Sequence, residues 1–260
     1  MPKQKQKKDK GSRKLYSHIH PMSAIAESFR TLRTNIAYSS IDDPCRVILI
    51  TSSGPGEGKS TVVSNLGVVM AQAGSRVLIL DCDFRRPVVH KIFEVDQQRG
   101  LTNLIAQDLE VGEVVRATEV DGLFVINCGP IPPNPSELLG SQKMKDLLKK
   151  VGEQYDLVLI DAPPLIAVTD ASVLASVVDG VIFVIKSGES RIDIAREGKA
   201  QLEKANARIL GVVLNDMKAH GGGYYHHYYH YYGSKDKEQG DSNPQLKKIK
   251  YNILKHFAKT

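Results

Sequence analysis

Gly54-Pro55-Gly56-Glu57-Gly58-Lys59-Ser60-Thr61 is a stretch that can grip phosphate. Its glycines let the backbone curl so that several N–H groups point inward, and a helix opening at Lys59 adds the positive end of its dipole. In that arrangement Lys59 would reach the β- and γ-phosphates of a nucleotide. Ser60 would offer its hydroxyl to Mg²⁺, and Thr61 would sit near the α-phosphate. Ser53 stands where the usual motif has its first glycine. Two further acidic positions follow apolar runs. One is Asp81 with Asp83, in Leu80-Asp-Cys-Asp-Phe-Arg85, and the other is Asp161, in Leu159-Ile-Asp-Ala-Pro-Pro164. Residues two apart on a strand project to the same side, so Asp81 and Asp83 could both face the phosphates. Three carboxylates around an anion repel it unless Mg²⁺ lies between them, so ATP with Mg²⁺ is the implied ligand. Ser60, Asp81, Asp83 and Asp161 are the candidates to hold the ion. Asp81 or Asp83 would also take or polarise a substrate proton, and Asp81 is the preferred base. Arg85 would hold the acidic loop or bind phosphate.

The second unusual segment lies far downstream. Tyr224, Tyr225, Tyr228, Tyr229, Tyr231 and Tyr232 fall within nine residues, behind Gly221-Gly222-Gly223, and the chain has 10 tyrosines in all. A hydrophobic core has no use for that arrangement. The interleaved histidines could bind a metal, but on flexible backbone. Cys45, Cys82 and Cys128 lack metal-ligand spacing and read as reduced core thiols. The net charge of +6 is concentrated at the ends: residues 1–14 carry seven basic side chains against Asp9, and Lys247 to Lys259 carries five lysines. Basic ends can meet anionic lipid or an acidic partner, or simply keep the chain soluble. No nucleic-acid partner is expected. No apolar run reaches the roughly 18 residues that a spanning helix needs.

The chemistry needs a scaffold, and the apolar pattern supplies one. Short apolar strands are expected at Val47–Ile50, Val77–Leu80, Leu123–Cys128, Leu157–Ile160, Val181–Ile185 and Ile209–Leu214. Helical stretches fall between them, including Lys59 to Ala73, Glu137 to Val151 and Ile192 to Ala205. That alternation predicts an α/β fold: a P-loop NTPase with a mostly parallel central sheet flanked by helices on both faces. The acids then sit at the carboxyl ends of strands, where such sheets bind ligands. Upstream, Ile25, Phe29, Leu32 and Ile36 form one apolar helical stripe, with Glu27, Arg30 and Arg33 on the remaining surface. Downstream, Leu246, Ile249, Ile253 and Phe257 recur among lysines and could form a short amphipathic helix on contact with a surface.

Together these residues resemble the bacterial tyrosine kinases that use a P-loop instead of the protein-kinase fold. The likeness rests on Gly54 to Thr61, on Leu78-Ile-Leu-Asp81-Cys-Asp83-Phe-Arg85, on the motif ending at Pro164, on Glu27-x-x-Arg30-x-x-Arg33 and on the tyrosine cluster. It implies that the six tail tyrosines are autophosphorylated in trans. It implies a homo-oligomeric ring, an octamer, contacting through Glu27, Arg30 and Arg33. It further implies a cytoplasmic enzyme, peripheral at the membrane through the cytoplasmic end of a membrane activator. Such a kinase acts on protein tyrosines, is opposed by a phosphotyrosine phosphatase, and regulates capsular or extracellular polysaccharide synthesis and export. The implied organisation is a basic flexible arm at 1–20, a kinase domain at 21–217, an autophosphorylation tail at 218–238 and a basic extension at 239–260. The main rival is a MinD/ParA-like partitioning or positioning ATPase. Those enzymes carry a second lysine at the position of Gly54, and they have no reason to keep clustered tyrosines. A nucleotide-gated scaffold is the third alternative.

Overall fold

A computed structural model of the 260-residue chain describes residues 15–39, 44–107 and 109–217. Two helices come first, α1 (Tyr16–Ile19) and α2 (Ala24–Ser39), then strand β1 (Val47–Ser52), helix α3 (Lys59–Ala71) and strand β2 (Val77–Asp81). A helical excursion follows, α4 (Val89–Ile92), α5 (Leu101–Gln107) and α6 (Val111–Val114), ending in β3 (Arg116–Ala117) and β4 (Leu123–Ile126). Then come α7 (Pro135–Gly140), α8 (Gln142–Gln154), β5 (Leu157–Asp161), α9 (Asp170–Ala175), β6 (Gly180–Lys186), α10 (Ile192–Lys204) and β7 (Ile209–Asn215).

The strands form one seven-stranded sheet in the order β3-β4-β2-β5-β1-β6-β7. Every pairing is parallel except that of β3 with β4. β1, β2 and β5 are buried at every position, as their unbroken apolar sequences require when both faces are covered. One core, with Leu49, Leu80 and Ile160, packs under α8 and α10, and the other, with Ile48, Ile50 and Ile79, packs under α2 and α3. The expected mostly parallel sheet with helices on both faces is thus the fold.

Four local differences have physical causes. β3 is only two residues long, too short for any alternation to show. The expected helix Glu137–Val151 is two helices, because Ser141 turns extended and its Oγ caps α8 by accepting from the Met144 N–H at 3.2 Å. Within α2, Ile25 is exposed and Ala26 is buried, so the stripe is rotated by one residue from its expected edge. The arm expected at 1–20 ends sooner: Leu15 is buried, and the Ser17 N–H donates to Asn65 Oδ1 of α3 at 2.8 Å. Residues 15–20 therefore belong to the fold. The tyrosine cluster and the basic extension lie outside the described residues. No helix among the described residues is long and apolar enough to cross a membrane.

Candidate active site

β1 delivers the chain into the glycine-rich turn, and α3 takes over at Lys59. Gly56 and Gly58 adopt φ of 79° and 90°, which side-chain-bearing residues rarely tolerate. Gly58 is also hemmed in: a Cβ there would lie 2.0 Å from Asn215 Nδ2. That amide donates to the Glu57 carbonyl at 2.9 Å. The Glu57 side chain turns inward and is buried. It accepts from Ser53 Oγ at 2.8 and 2.9 Å, from the Gly54 N–H at 3.0 Å, and from Ser190 Oγ on the loop between β6 and α10. Ser53, standing where the motif usually has glycine, gives its hydroxyl to this carboxylate and keeps φ out of the left-handed region. Ser60 and Thr61 occupy the first turn of α3, where the ladder begins with Val62 N–H donating to the Gly58 carbonyl at 2.9 Å. Sequence reasoning missed the structural work of Glu57, Ser190 and Asn215.

The register puts Asp81 directly beside Asp161 at the carboxyl ends of β2 and β5. Asp81, Asp83 and Asp161 are all buried. Asp83 reaches the loop, with its Oδ2 at 2.8 Å from Lys59 Nζ. Asp81 accepts from the Asp83 N–H at 3.3 Å and the Val89 N–H at 3.2 Å. Burial, and after it the charge of Asp161, holds the Asp81 carboxyl well above the usual carboxylate range. Burial works against the Lys59 ammonium, yet the charges of Asp161 and Asp83 outweigh it, so Lys59 is raised and remains cationic. The site thus faces one ammonium with three carboxylates, and a dication would relieve the surplus. Among the described residues no three-ligand cage is preformed.

Arg85 takes one of its two expected roles. Its Nε and Nη2 donate to Asp170 at 3.3 and 3.4 Å, which ties the acidic loop to α9. Asp170 is fully buried and also accepts from Ser136 Oγ of α7. It was missed in the sequence, where its one signal was a carboxylate opening a helix. On α2, Arg30 pairs with Glu27 at 2.6 Å and donates to the Pro21 carbonyl. Arg33 is not simply surface: its Nη1 donates to the Val69 carbonyl of α3 at 3.1 Å. Cys82 and Cys128 are buried thiols as expected, and burial raises both, Cys128 to about 11.

A protein-family model described as "AAA domain" matches residues 45–210. The chain is 40% identical to the tyrosine-protein kinase YwqD of Bacillus subtilis over 215 residues, covering 82% of this chain and 91% of that one. Among solved structures, the chimerical protein CapA2B2 superposes with a TM-score of 0.76 at 40% identity, over 79% of this chain and 90% of that one. The kinase domain of Escherichia coli ETK gives 0.75 at 32% identity, over 81% and 84%. A MinD septum-site protein from Pyrococcus horikoshii reaches only 0.57 at 25% identity, over 65% and 69%. The rival fold relative is therefore the more distant one.

Proposed function

This chain belongs to the bacterial P-loop tyrosine-protein kinases, and from that membership we propose that it moves the γ-phosphoryl of ATP onto the tyrosines of its own tail and of other proteins. It is an ATP-dependent protein-tyrosine kinase. The observation that carries the assignment to this site is the partly buried Lys59 at the end of the loop, set against the buried Asp81, Asp83 and Asp161 at and just beyond the ends of adjacent strands. Lys59 and the N–H groups of the loop clamp the phosphates and hold the transferring group in line. Ser60, Asp81, Asp83 and Asp161 would hold Mg²⁺ directly or through water, and the ion would supply positive charge to offset that on the phosphates. Asp81 receives the phenolic proton; its raised affinity for a proton suits that task. Arg85 acts from behind, by fixing the acidic loop against Asp170.

The tyrosines at 224, 225, 228, 229, 231 and 232 are the acceptors, reached in trans within a ring of copies, by resemblance an octamer. By resemblance Glu27, Arg30 and Arg33 of α2 form the contact; Arg30 pairs with Glu27, and Arg33 also donates to the Val69 carbonyl. The kinase works at the inner face of the membrane through an activator's cytoplasmic end and regulates polysaccharide synthesis and export. A phosphatase resets it. Support for these finer points comes from the family resemblance.

Mapping phosphotyrosine after incubation with ATP and Mg²⁺ tests the activity. Mixing an Asp81→Asn chain with an active chain whose tail tyrosines are Phe tests direction. Label on the Asp81→Asn chain is expected. Its absence, with the active chain competent on an added tyrosine peptide, would refute transfer in trans. Glu27→Ala with Arg30→Ala should lower the mass in light scattering.

A further inference from the structure

Tyr38 is 70% exposed in the last turn of α2, the most open tyrosine among the described residues; Tyr16 is 36% exposed and Tyr155 is buried. It follows Glu27 by 11 positions, and at 3.6 residues per turn the two lie within roughly 20° of each other on the helix, on its outward side. It also borders an open groove of about 500 Å³, with Arg33, Cys45, Ser75, Asp156 and Leu157 among the lining residues. Cys45, Ser75 and Leu157 mark the amino ends of β1, β2 and β5, so this groove lies at the sheet edge opposite the phosphate site.

Two guanidinium groups stand at this spot. Arg33 lines the groove itself. Arg208 donates to the carbonyl of Ser39, the residue next to Tyr38, at 3.0 Å, and to Cys45 Sγ at 3.3 Å. Arginine forks suit the three oxygens of a phosphate monoester. Without them, a phosphate of charge −1.5 to −2 at the carboxyl end of a helix would be repelled by the helix dipole.

We propose that Tyr38 is a further phosphoacceptor of this kinase, outside the tail, and that Arg33 and Arg208 receive its phosphate. The proposal rests on the kinase activity assigned above. The bond from the γ-phosphorus to the β–γ bridging oxygen breaks, and a bond from that phosphorus to the Tyr38 phenolic oxygen forms. ADP leaves, and the phenolic proton passes to the carboxylate base of the acting site. The donor site belongs to a second copy, because a strand of five or six residues, roughly 17–20 Å, separates Tyr38 from its own chain's site.

The test uses the full chain with Tyr224, Tyr225, Tyr228, Tyr229, Tyr231 and Tyr232 all changed to Phe, beside wild type, each incubated with ATP and Mg²⁺. The expected result is residual phosphotyrosine in the changed chain, mapped by mass spectrometry to Tyr38 and abolished by adding Tyr38→Phe. Arg208→Gln should then let a phosphatase remove that phosphate several-fold faster, because its clamp is gone. A labelled wild type beside an unlabelled changed chain would overturn the proposal and leave the kinase assignment standing. Label at Tyr16 equal to that at Tyr38, or a phosphatase rate indifferent to Arg208, would overturn the arginine cradle. No label on either chain would sink both readings.

Discussion

Changing Lys59 to Met removes a charge that the fold itself uses. The ammonium lies 2.8 Å from Asp83 Oδ2, and the two side chains are 13% and 3% exposed. At an effective dielectric constant near 20 the attraction over that distance is about 6 kcal/mol before desolvation. Breaking such a pair from one side costs about 3–5 kcal/mol, because the other charge stays buried. For a domain of this size that is a melting-temperature loss of roughly 6–20 °C. The loss should depend on pH. Asp81 already binds its proton more tightly folded than unfolded, so its contribution is unfavourable above the ordinary carboxylate value of 3.8 and grows as pH rises toward its folded pKa. Without Lys59 a neighbouring positive charge is gone, and the unfavourable contribution of Asp81 grows. Thermal melts of Lys59→Met should therefore show a large deficit at pH 8 and a smaller one at pH 5. Adding Asp83→Asn should restore part of the stability at pH 8. A deficit that is flat with pH, and unchanged by Asp83→Asn, would refute the pairing and the reasoning built on it.

Gly58→Ala should weaken ATP binding about fivefold or more by calorimetry, since φ of 90° strains any other residue by about 1–3 kcal/mol and the new Cβ evicts Asn215; wild-type affinity would contradict this, and Asn215→Ala should recover part of the loss. Asp170→Asn should lower the phosphotransfer rate more than ATP affinity, costing about 1–2 kcal/mol after discounting for the half-exposed Arg85, because a neutral amide grips a guanidinium less well. Equal loss in both parameters would mean that Asp170 supports the fold and not the acidic loop. With a thiol reagent at pH 8, Cys45 should react first while Cys82 and Cys128 wait for unfolding, because burial keeps the latter two protonated, Cys128 up to about 11. Rapid titration of all three thiols in the native protein would contradict that burial.

Much of this site could be read along the chain because its parts are local. Lys59, Ser60 and the glycines are contiguous, and Asp81 and Asp161 each end an apolar run that can only be a covered strand. What escaped was what holds them. Glu57 meets Ser190 across 133 positions, Asn215 meets Glu57 across 158, and Arg85 meets Asp170 across 85. No local pattern distinguishes these residues from surface polar groups. Only the crossover order, which sets β6 beside β1 and β7 beside β6, brings Ser190 and Asn215 to the loop. Arg33 shows the reverse error. Its place off the apolar stripe suggested a surface residue, but a long guanidinium can lie along the flank of a helix and reach a carbonyl on the next one.

These distant ties explain how a site so acidic can still admit a nucleotide. The loop is held from behind by Glu57 and Asn215, and the acidic segment is held from behind by Arg85 and Asp170, so neither needs the ligand to keep its shape. The Lys59–Asp83 pair joins the two. An incoming γ-phosphate competes with Asp83 for Lys59, and charge alone would make that exchange unfavourable, because it leaves Asp83 buried beside Asp81 and Asp161 without its counter-ion. Mg²⁺ arriving with the nucleotide would supply the missing positive charge. On that reading nucleotide without Mg²⁺ should bind this site weakly even though the clamp is complete, and calorimetry with ATP in the presence of EDTA checks it.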